Sequence, residues 1–278
     1  MNQDSGHRVN AQENFNNAVI SVRNLSFSYQ HSNQVILSSI NLEVIPGEFI
    51  CFLGQSGCGK STLLRLLAGL EKPSSGEILL HSDKIKSAGL DRGVVFQDYG
   101  LFPWMTAGEN IKLALTQKFP GLSKSEYKAR VIKALTQVGL NESIYRKLPK
   151  ELSGGMKQRC AIAQAFAIEP EILLMDEPFG ALDAVTRARL QDLVLALWND
   201  TYKTIFFVTH DVDEALLLAT RIIVIGQSPG KIIYEASIPE EHKPTRETQF
   251  EDLNILRLRN ELIRQINKDV ASHTINDA

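Results

Sequence analysis

The sequence predicts an α/β fold organised around a mainly parallel sheet, and three observations carry that prediction. Continuous apolar runs of strand length recur at residues 49–53, 172–175, 205–208 and 222–225. Segments with helical spacing separate them, notably the leucines at 63, 64, 66, 67 and 70 and a long stretch from about Asp183 to Trp198. A glycine-bearing loop at residues 54–61 joins the first run to the first helix as half of a βαβ unit. Apolar strands without alternation are buried on both faces, and strands that alternate with helices pair in parallel. The 278 residues leave room for one large α/β domain or two small ones, with an ordinary globular balance of 44% hydrophobic and 22% charged residues.

In chain order, residues 1–17 are polar, rich in Asn and Gln, and read as a disordered tail. Apolar positions follow at Ile20, Val22, Leu25 and Phe27, then Val35, Ile36 and Leu37, then Ile40, Leu42 and Val44. With the Pro46-Gly47 turn behind them, they predict short antiparallel strands. Residues from about 98 to 163 change character and predict a helical insertion. Within it, Ser123 and Glu126 have capping-box spacing ahead of Tyr127, Val131, Leu135 and Val138, and Gly139 ends the pattern. Near the end, Thr248 and Glu251 repeat that spacing ahead of Ile255, Leu258, Leu262 and Ile266. The single apolar face of this last helix suits packing on the domain or on a partner.

Charge and cysteine usage narrow the function classes. With 30 Lys and Arg against 32 Asp and Glu, the net charge is −2, which gives no electrostatic reason to expect bulk nucleic-acid binding, although a local basic patch is compatible with that total. Cys51, Cys58 and Cys160 form no CxxC pair and are odd in number, the pattern of free thiols in a reducing compartment. The apolar runs fall far short of the ~20 residues a membrane span needs. The N-terminal residues contain no apolar stretch of secretory type. The expectation is a soluble chain.

The loop Gly54-Gln55-Ser56-Gly57-Cys58-Gly59-Lys60-Ser61 fits the pattern G-x-x-x-x-G-K-S/T. Glycines let successive N–H groups turn inward at a helix N-terminus, forming an anion nest. Lys60 adds charge for the β- and γ-phosphates, and Ser61 offers a hydroxyl to Mg2+, with Thr62 completing the candidate phosphate site. A chance match in a glycine turn is the alternative, but the flanking buried strand and apolar helix are the context the motif requires. The predicted fold is therefore a P-loop NTPase (RecA-like) core, with an antiparallel β subdomain and a helical insertion subdomain.

A carboxylate should help hold the metal. Asp176 ends the apolar strand at 172–175 and would lie at its C-terminal edge beside the loop. Glu177 follows directly and is placed to polarise an attacking water. Taken alone, the two acids also fit a capped turn before Pro178. Guanine and adenine stay open at this point. The nearest guanine-reading string, Asn267-Lys268-Asp269, has the wrong spacing, while Tyr29 could stack on a base or belong to the core. A second glycine pair, in Leu152-Ser153-Gly154-Gly155-Met156, stands before an apolar helical run. An N-cap explains Ser153 but leaves Gly154-Gly155 unexplained.

Leu152 to Met156 resembles the signature of the ATP-binding cassette (ABC) ATPases, and Ser153 stands 23 residues before Asp176, a distance that suits the family. Five further elements follow the family's order: Tyr29 as the adenine-stacking aromatic, Gln97 as the Q-loop glutamine, Ala181-Leu182-Asp183 as the D-loop, Glu177 as the catalytic glutamate and His210 as the switch histidine. The resemblance covers about residues 18–235 as an ABC ATPase domain and leaves 236–278 as a short C-terminal helical extension. The usual final glutamine of the signature is Met156 here. That methionine, with Leu101-Phe102-Pro103-Trp104-Met105-Thr106 and Ser228-Pro229-Gly230-Lys231, resembles the branch serving nitrate, sulfonate and taurine importers.

The resemblance implies a bacterial importer's ATPase subunit, working with ATP and Mg2+ as a head-to-tail dimer. Each phosphate loop would face the partner's signature, Ser153-Gly154-Gly155, with the γ-phosphate between two incomplete anion sites. It assigns Ser61, Gln97 and Asp176 to the Mg2+ sphere, Glu177 to the water, His210 to the γ-phosphate and Asp183 to the dimer interface. It implies transmembrane permease subunits, a solute-binding protein reached through the complex, no nucleic acid, and a peripheral position on the cytoplasmic face of the inner membrane. Phe102 and Trp104 would meet the permease or pack the insertion onto the core. An exporter or lipoprotein-release subunit and a soluble non-transport cassette are the alternatives; an ATP sensor without turnover conflicts with Glu177 and His210. The extension is too short for an appended sensor domain. Cys58, inside the loop, opens the idea of oxidative control.

Overall fold

The computed structural model describes residues 17–29, 34–227 and 229–276. Apart from Asn17, the expected tail lies outside the described residues, as does Ser228. Among the described residues the strands are β1 (Ile20–Ser28), β2 (Val35–Val44), β3 (Phe49–Leu53), β4 (Ser75–Leu80), β5 (Asp83–Lys84), β6 (Arg92–Val95), β7 (Ile172–Asp176), β8 (Thr204–Thr209), β9 (Arg221–Ile225) and β10 (Ile232–Ser237). The helices are α1 (Lys60–Ala68), α2 (Ala107–Lys118), α3 (Lys124–Gln137), α4 (Gly154–Ala167), α5 (Ala184–Thr201), α6 (Val212–Leu218) and α7 (Leu253–Asn276).

Two sheets result. The smaller is antiparallel, in the order β2-β1-β4-β5, and the larger runs β10-β9-β3-β8-β7-β6 with only the β10–β9 pair antiparallel. Both faces of the larger sheet are apolar because its central strands β3, β7 and β8 carry polar residues only at their ends, at Asp176, Thr204 and Thr209. Phe49, Cys51 and Leu53 point into a core shared with the helices, while Ile50 and Phe52 point the other way, toward α1 and the small sheet. Each fully buried Phe or Leu contributes about 1.5–3 kcal/mol relative to exposure, so a polar residue at any of these positions is costly.

Strand order is what assembles the site. Leu53 of β3 is level with Thr209 of β8, Val208 of β8 with Asp176 of β7, and Met175 of β7 with Val95 of β6. Parallel strands end on one edge, so the loops carrying Gly54–Gly59, Gln97, Glu177 and His210 open there together. Ligands bind at such carboxyl edges in open α/β sheets.

The helices between β6 and β7 are α2, α3 and α4, with two 3-10 turns at Glu142–Arg146 and Pro149–Glu151. The Ser123–Glu126 capping box forms at the start of α3, and Thr106 with Glu109 makes another on α2 that the sequence reading did not single out. Two local expectations are corrected. Helix α1 stops at Ala68 because Gly69 turns left-handed (φ 73°) and donates back to Arg65 and Leu66, which leaves Leu70 exposed. The cap of α7 is not Thr248 but Asp252, whose carboxylate accepts from the amides of Asn254 and Ile255 at 2.7 and 3.3 Å. The apolar face of α7 packs back on the domain: Ile255 and Leu262 are buried in the helical core, with Leu258 and Ile266 beside them. Strands β4, β5, β6 and β10 carry no long apolar run and went unpredicted.

Candidate nucleotide-binding site

The phosphate loop is built by close backbone approach. A Cβ on Gly54 would collide with the carbonyl oxygen of Ile225, and one on Gly59 would come within 2.7 Å of Leu37 Cδ2. Gly59 also caps α1 in the left-handed region, at φ 97°, where a side chain is strained as well as crowded. Lys60 is buried and donates through Nζ to the carbonyl oxygens of Gly54 at 2.8 Å and Gln55 at 2.7 Å. Gln227 holds the loop from outside, its side-chain amide donating to Gln55 Oε1 at 2.6 Å.

A cavity of about 410 Å³ lies over the loop, lined by Tyr29, Ile36, Ser56, Gly57, Gly59, Lys60, Ser61, Thr62, Gln97 and Glu177. Tyr29 is 38% exposed; its ring stands edge-on to Phe27, with centroids 4.8 Å apart, and its hydroxyl lies 3.3 Å from Thr62 Oγ1. The aromatic is thus fixed at the cavity wall rather than buried in the core.

The acids occupy the far side. Ser61 donates its hydroxyl to Asp176 Oδ1 at 2.7 Å. Burial pushes the Asp176 carboxyl above the usual carboxylate range, opposed by the Ser61 hydrogen bond. A partly dehydrated carboxylate beside a hydroxyl, with the Gln97 amide on the same cavity, is a hard-oxygen donor set that fits Mg2+, which takes few protein ligands. Glu177 sits at φ 41°, a left-handed conformation that costs on the order of 1–3 kcal/mol outside glycine. Its amide donates to Val208 O at 3.1 Å, pinning the strained residue to β8. His210 Nδ1 lies 3.3 Å from Glu177 Oε2.

Behind Glu177 is a small polar cavity of about 40 Å³, lined among others by Arg187, Thr209, His210, Asp211 and Glu214. Glu214 accepts from Thr209 Oγ1 at 2.6 Å and from Gln191 Nε2 at 2.8 Å, and burial raises its carboxyl above the ordinary value. The sequence reading missed this residue. Its signal was the last of three carboxylates after His210, following Asp211 and Asp213 and standing directly before the apolar run 215–218.

Ser153, Gly154 and Gly155 do not line the large cavity. Ser153 caps α4, accepting from the Met156 amide at 3.3 Å. A Cβ on Gly155 would stand 2.5 Å from Thr186 Cγ2, and the Thr186 amide donates to Asp183 Oδ1 at 3.0 Å. The glycine pair therefore lets the start of α4 approach the start of α5. Asp183 caps α5, and these hydrogen bonds hold its carboxyl below the usual range.

Residues 37–180 match the sequence profile of the ABC transporter family. The chain belongs to that family. It binds ATP, and ATP hydrolysis is its activity. Nitrate import ATP-binding protein NrtD of Synechococcus elongatus is 46% identical over 230 residues, 82% of this chain and 84% of the relative. Bicarbonate transport ATP-binding protein CmpD of the same species is 46% identical over 242 residues, 86% and 87% of the two chains. Among solved structures, the ATP-binding cassette MJ0796, in a dimeric post-hydrolysis state with ADP and Pi, is 34% identical with a TM-score of 0.71 and covers 79% of this chain and 99% of its own. Clostridium perfringens cbiO1, part of the transporter complex cbiONQ, is 28% identical with a TM-score of 0.71, covering 88% and 99%.

Cys58 is 1% exposed and its thiol is pushed up by burial, so the chemistry needed for oxidative control is disfavoured. Trp104 is 72% exposed and Phe102 stands beside it, ring centroids 5.4 Å apart. Packing of the insertion onto the core therefore does not account for Trp104. No helix among the described residues is long and apolar enough to cross a membrane.

Proposed function

We propose that the chain is the ATP-hydrolysing subunit of a bacterial importer for a small solute of the nitrate, bicarbonate, sulfonate or taurine kind. One observation carries the reading: a cavity bounded by the phosphate loop, Gln97 and Glu177 belongs to a chain 46% identical to nitrate and bicarbonate import subunits. Exporter, lipoprotein-release and non-transport readings have no comparable support.

Within the site, Tyr29 stacks on the adenine, while the amides of residues 54–62 and the Lys60 ammonium take the β- and γ-phosphates. Ser61, Asp176 and Gln97 would hold Mg2+, which when bound would neutralise phosphate charge. Glu177 orients the attacking water and accepts its proton, and His210 contacts the γ-phosphate from the neighbouring strand end. Donors aimed at developing charge are where such sites gain most of their rate.

The start of α4 and the Asp183 turn lie apart from this cavity, so a second subunit in head-to-tail arrangement would supply Ser153-Gly154-Gly155 to each nucleotide. Residues 18–235 would form the ABC ATPase domain, with 98–163 as its helical insertion and 236–278 as an extension. The exposed Phe102–Trp104 pair would meet a transmembrane permease, placing the subunit peripherally on the cytoplasmic face of the membrane, with a solute-binding protein delivering cargo across it. Co-purification with permease and binding protein, followed by ATPase assays in vesicles with candidate anions, tests the reading. ATP turnover stimulated by one anion supports it; turnover indifferent to every permease and solute overturns it.

A further inference from the structure

The C-terminal extension has no part in the roles above, yet its polar side chains converge on the segment that carries His210. Arg259 of α7 donates to both carboxylate oxygens of Asp213, at 2.6 and 3.3 Å. Asp213 lies in the first turn of α6, just beyond the histidine. Arg246 reaches the same segment by a second route. It donates to Gln191 Oε1 at 3.1 Å and to Asp192 at 2.7 Å, Gln191 donates to Glu214 at 2.8 Å, and Thr209 donates to Glu214 at 2.6 Å. Thr209 in turn accepts the Asp211 amide at 3.0 Å, so the bonded chain ends on both sides of His210. A third tie reaches the phosphate loop. The Gln227 amide donates to Asp269 of α7 at 2.7 Å while its side chain holds Gln55 at 2.6 Å.

Helix α6 has seven residues, too short to hold its own position, so its placement must come from what it packs against. Its apolar side is set by the sheet and α7. Its polar side is set by these two routes. Gln191 and Glu214 are buried, which makes the bonds between them strong and directional. The Arg259–Asp213 pair is about a third exposed, where ion pairs add little to stability. What the pair supplies is position.

We propose that the C-terminal extension is a brace that sets His210 against Glu177, with Arg259 and Arg246 as positioning residues for ATP hydrolysis. The inference rests on the reading of His210 and Glu177 as members of the hydrolytic site. Displacing a positioned group by about 1 Å is enough to slow turnover by tens of fold, and neither arginine reaches the nucleotide cavity itself.

The test is steady-state ATP hydrolysis by the full-length protein. Arg259→Ala and Arg246→Ala should each lower kcat roughly tenfold, with KM for ATP within about twofold and a melting temperature lowered by only about a few degrees. The charge swap Asp213→Arg with Arg259→Asp should recover most of the lost kcat. In a His210→Ala background, Arg259→Ala should add no further loss. If Arg259→Ala does not fold, Arg259→Lys keeps the charge, loses the paired donors and should show a smaller kcat loss at unchanged KM. Wild-type kcat in the arginine variants, alongside an inactive His210→Ala, would overturn the brace. Full turnover by His210→Ala would instead overturn the underlying reading of the switch.

Discussion

Nδ1 of His210 stands 3.3 Å from Oε2 of Glu177, and the two residues come from the ends of adjacent parallel strands. The glutamate sits in the left-handed region with its amide hydrogen-bonded to the Val208 carbonyl, which ties the residue to the end of β8 beside the histidine. Glu177→Gln should therefore bind ATP normally, hydrolyse it at least about 100-fold more slowly, and accumulate as a closed dimer. Nucleotide titration, phosphate release and light scattering check the three parts. Near-wild-type turnover would remove Glu177 from its role.

Trp104 presents most of its ring to solvent. Replacing it with Ala should leave the melting temperature within about 2 °C of wild type, since surface substitutions are usually near neutral. In the assembled transporter, solute uptake per ATP should fall. A collapse of folding would return Trp104 to the core.

Gly59→Ala combines a left-handed backbone with a Cβ 2.7 Å from Leu37. A loss of about 2 kcal/mol in unfolding free energy is expected, together with weaker ATP binding, because the same atoms shape the nest. Urea unfolding and nucleotide titration measure both. Unchanged values would mean that the loop tolerates displacement.

Glu214 has its carboxyl raised above the ordinary value of 4.5, chiefly by burial. A raised folded value means that its stability contribution is fully present at acid pH and lost as pH rises through the folded value. The stability of wild type relative to Glu214→Gln should thus fall as pH rises from below 4.5 through the folded value and then level off. Urea melts of the two proteins across that range give the sign directly. A difference that grows with pH would contradict it.

The buried Cys58 thiol should resist labelling by a thiol-reactive dye in the native protein and react on unfolding. ATP affinity should be unchanged by mild oxidant. Rapid native labelling with loss of binding would restore oxidative control as a mechanism.

Much of the site was legible because its chemistry is local. Glycine spacing, Lys60 and Ser61 make an anion nest wherever a strand turns into a helix. Asp176 could be placed at a strand end because the run before it is wholly apolar. Ser123 and Glu126 announced a cap that forms as read. The misses have a common cause. Leu70 satisfies helical spacing but lies past a glycine that reverses the chain, and Thr248 has cap spacing while Asp252 makes the cap. Spacing specifies which bonds are possible, and competition among neighbouring groups selects one.

Which residues can hold phosphate, polarise water or end a strand is written in side chains and short segments. Tertiary structure alone decided who meets whom. Ser61 and Asp176, 115 positions apart, share a hydrogen bond only because α1 and β7 meet at the edge where β3, β8 and β7 all end. An apolar run records that a strand is buried on both faces, not which strands flank it. For the same reason, nothing in its composition foretold that the C-terminal extension, which the sequence left as a helix with one apolar face, would reach back through Arg246 and Arg259 to the switch.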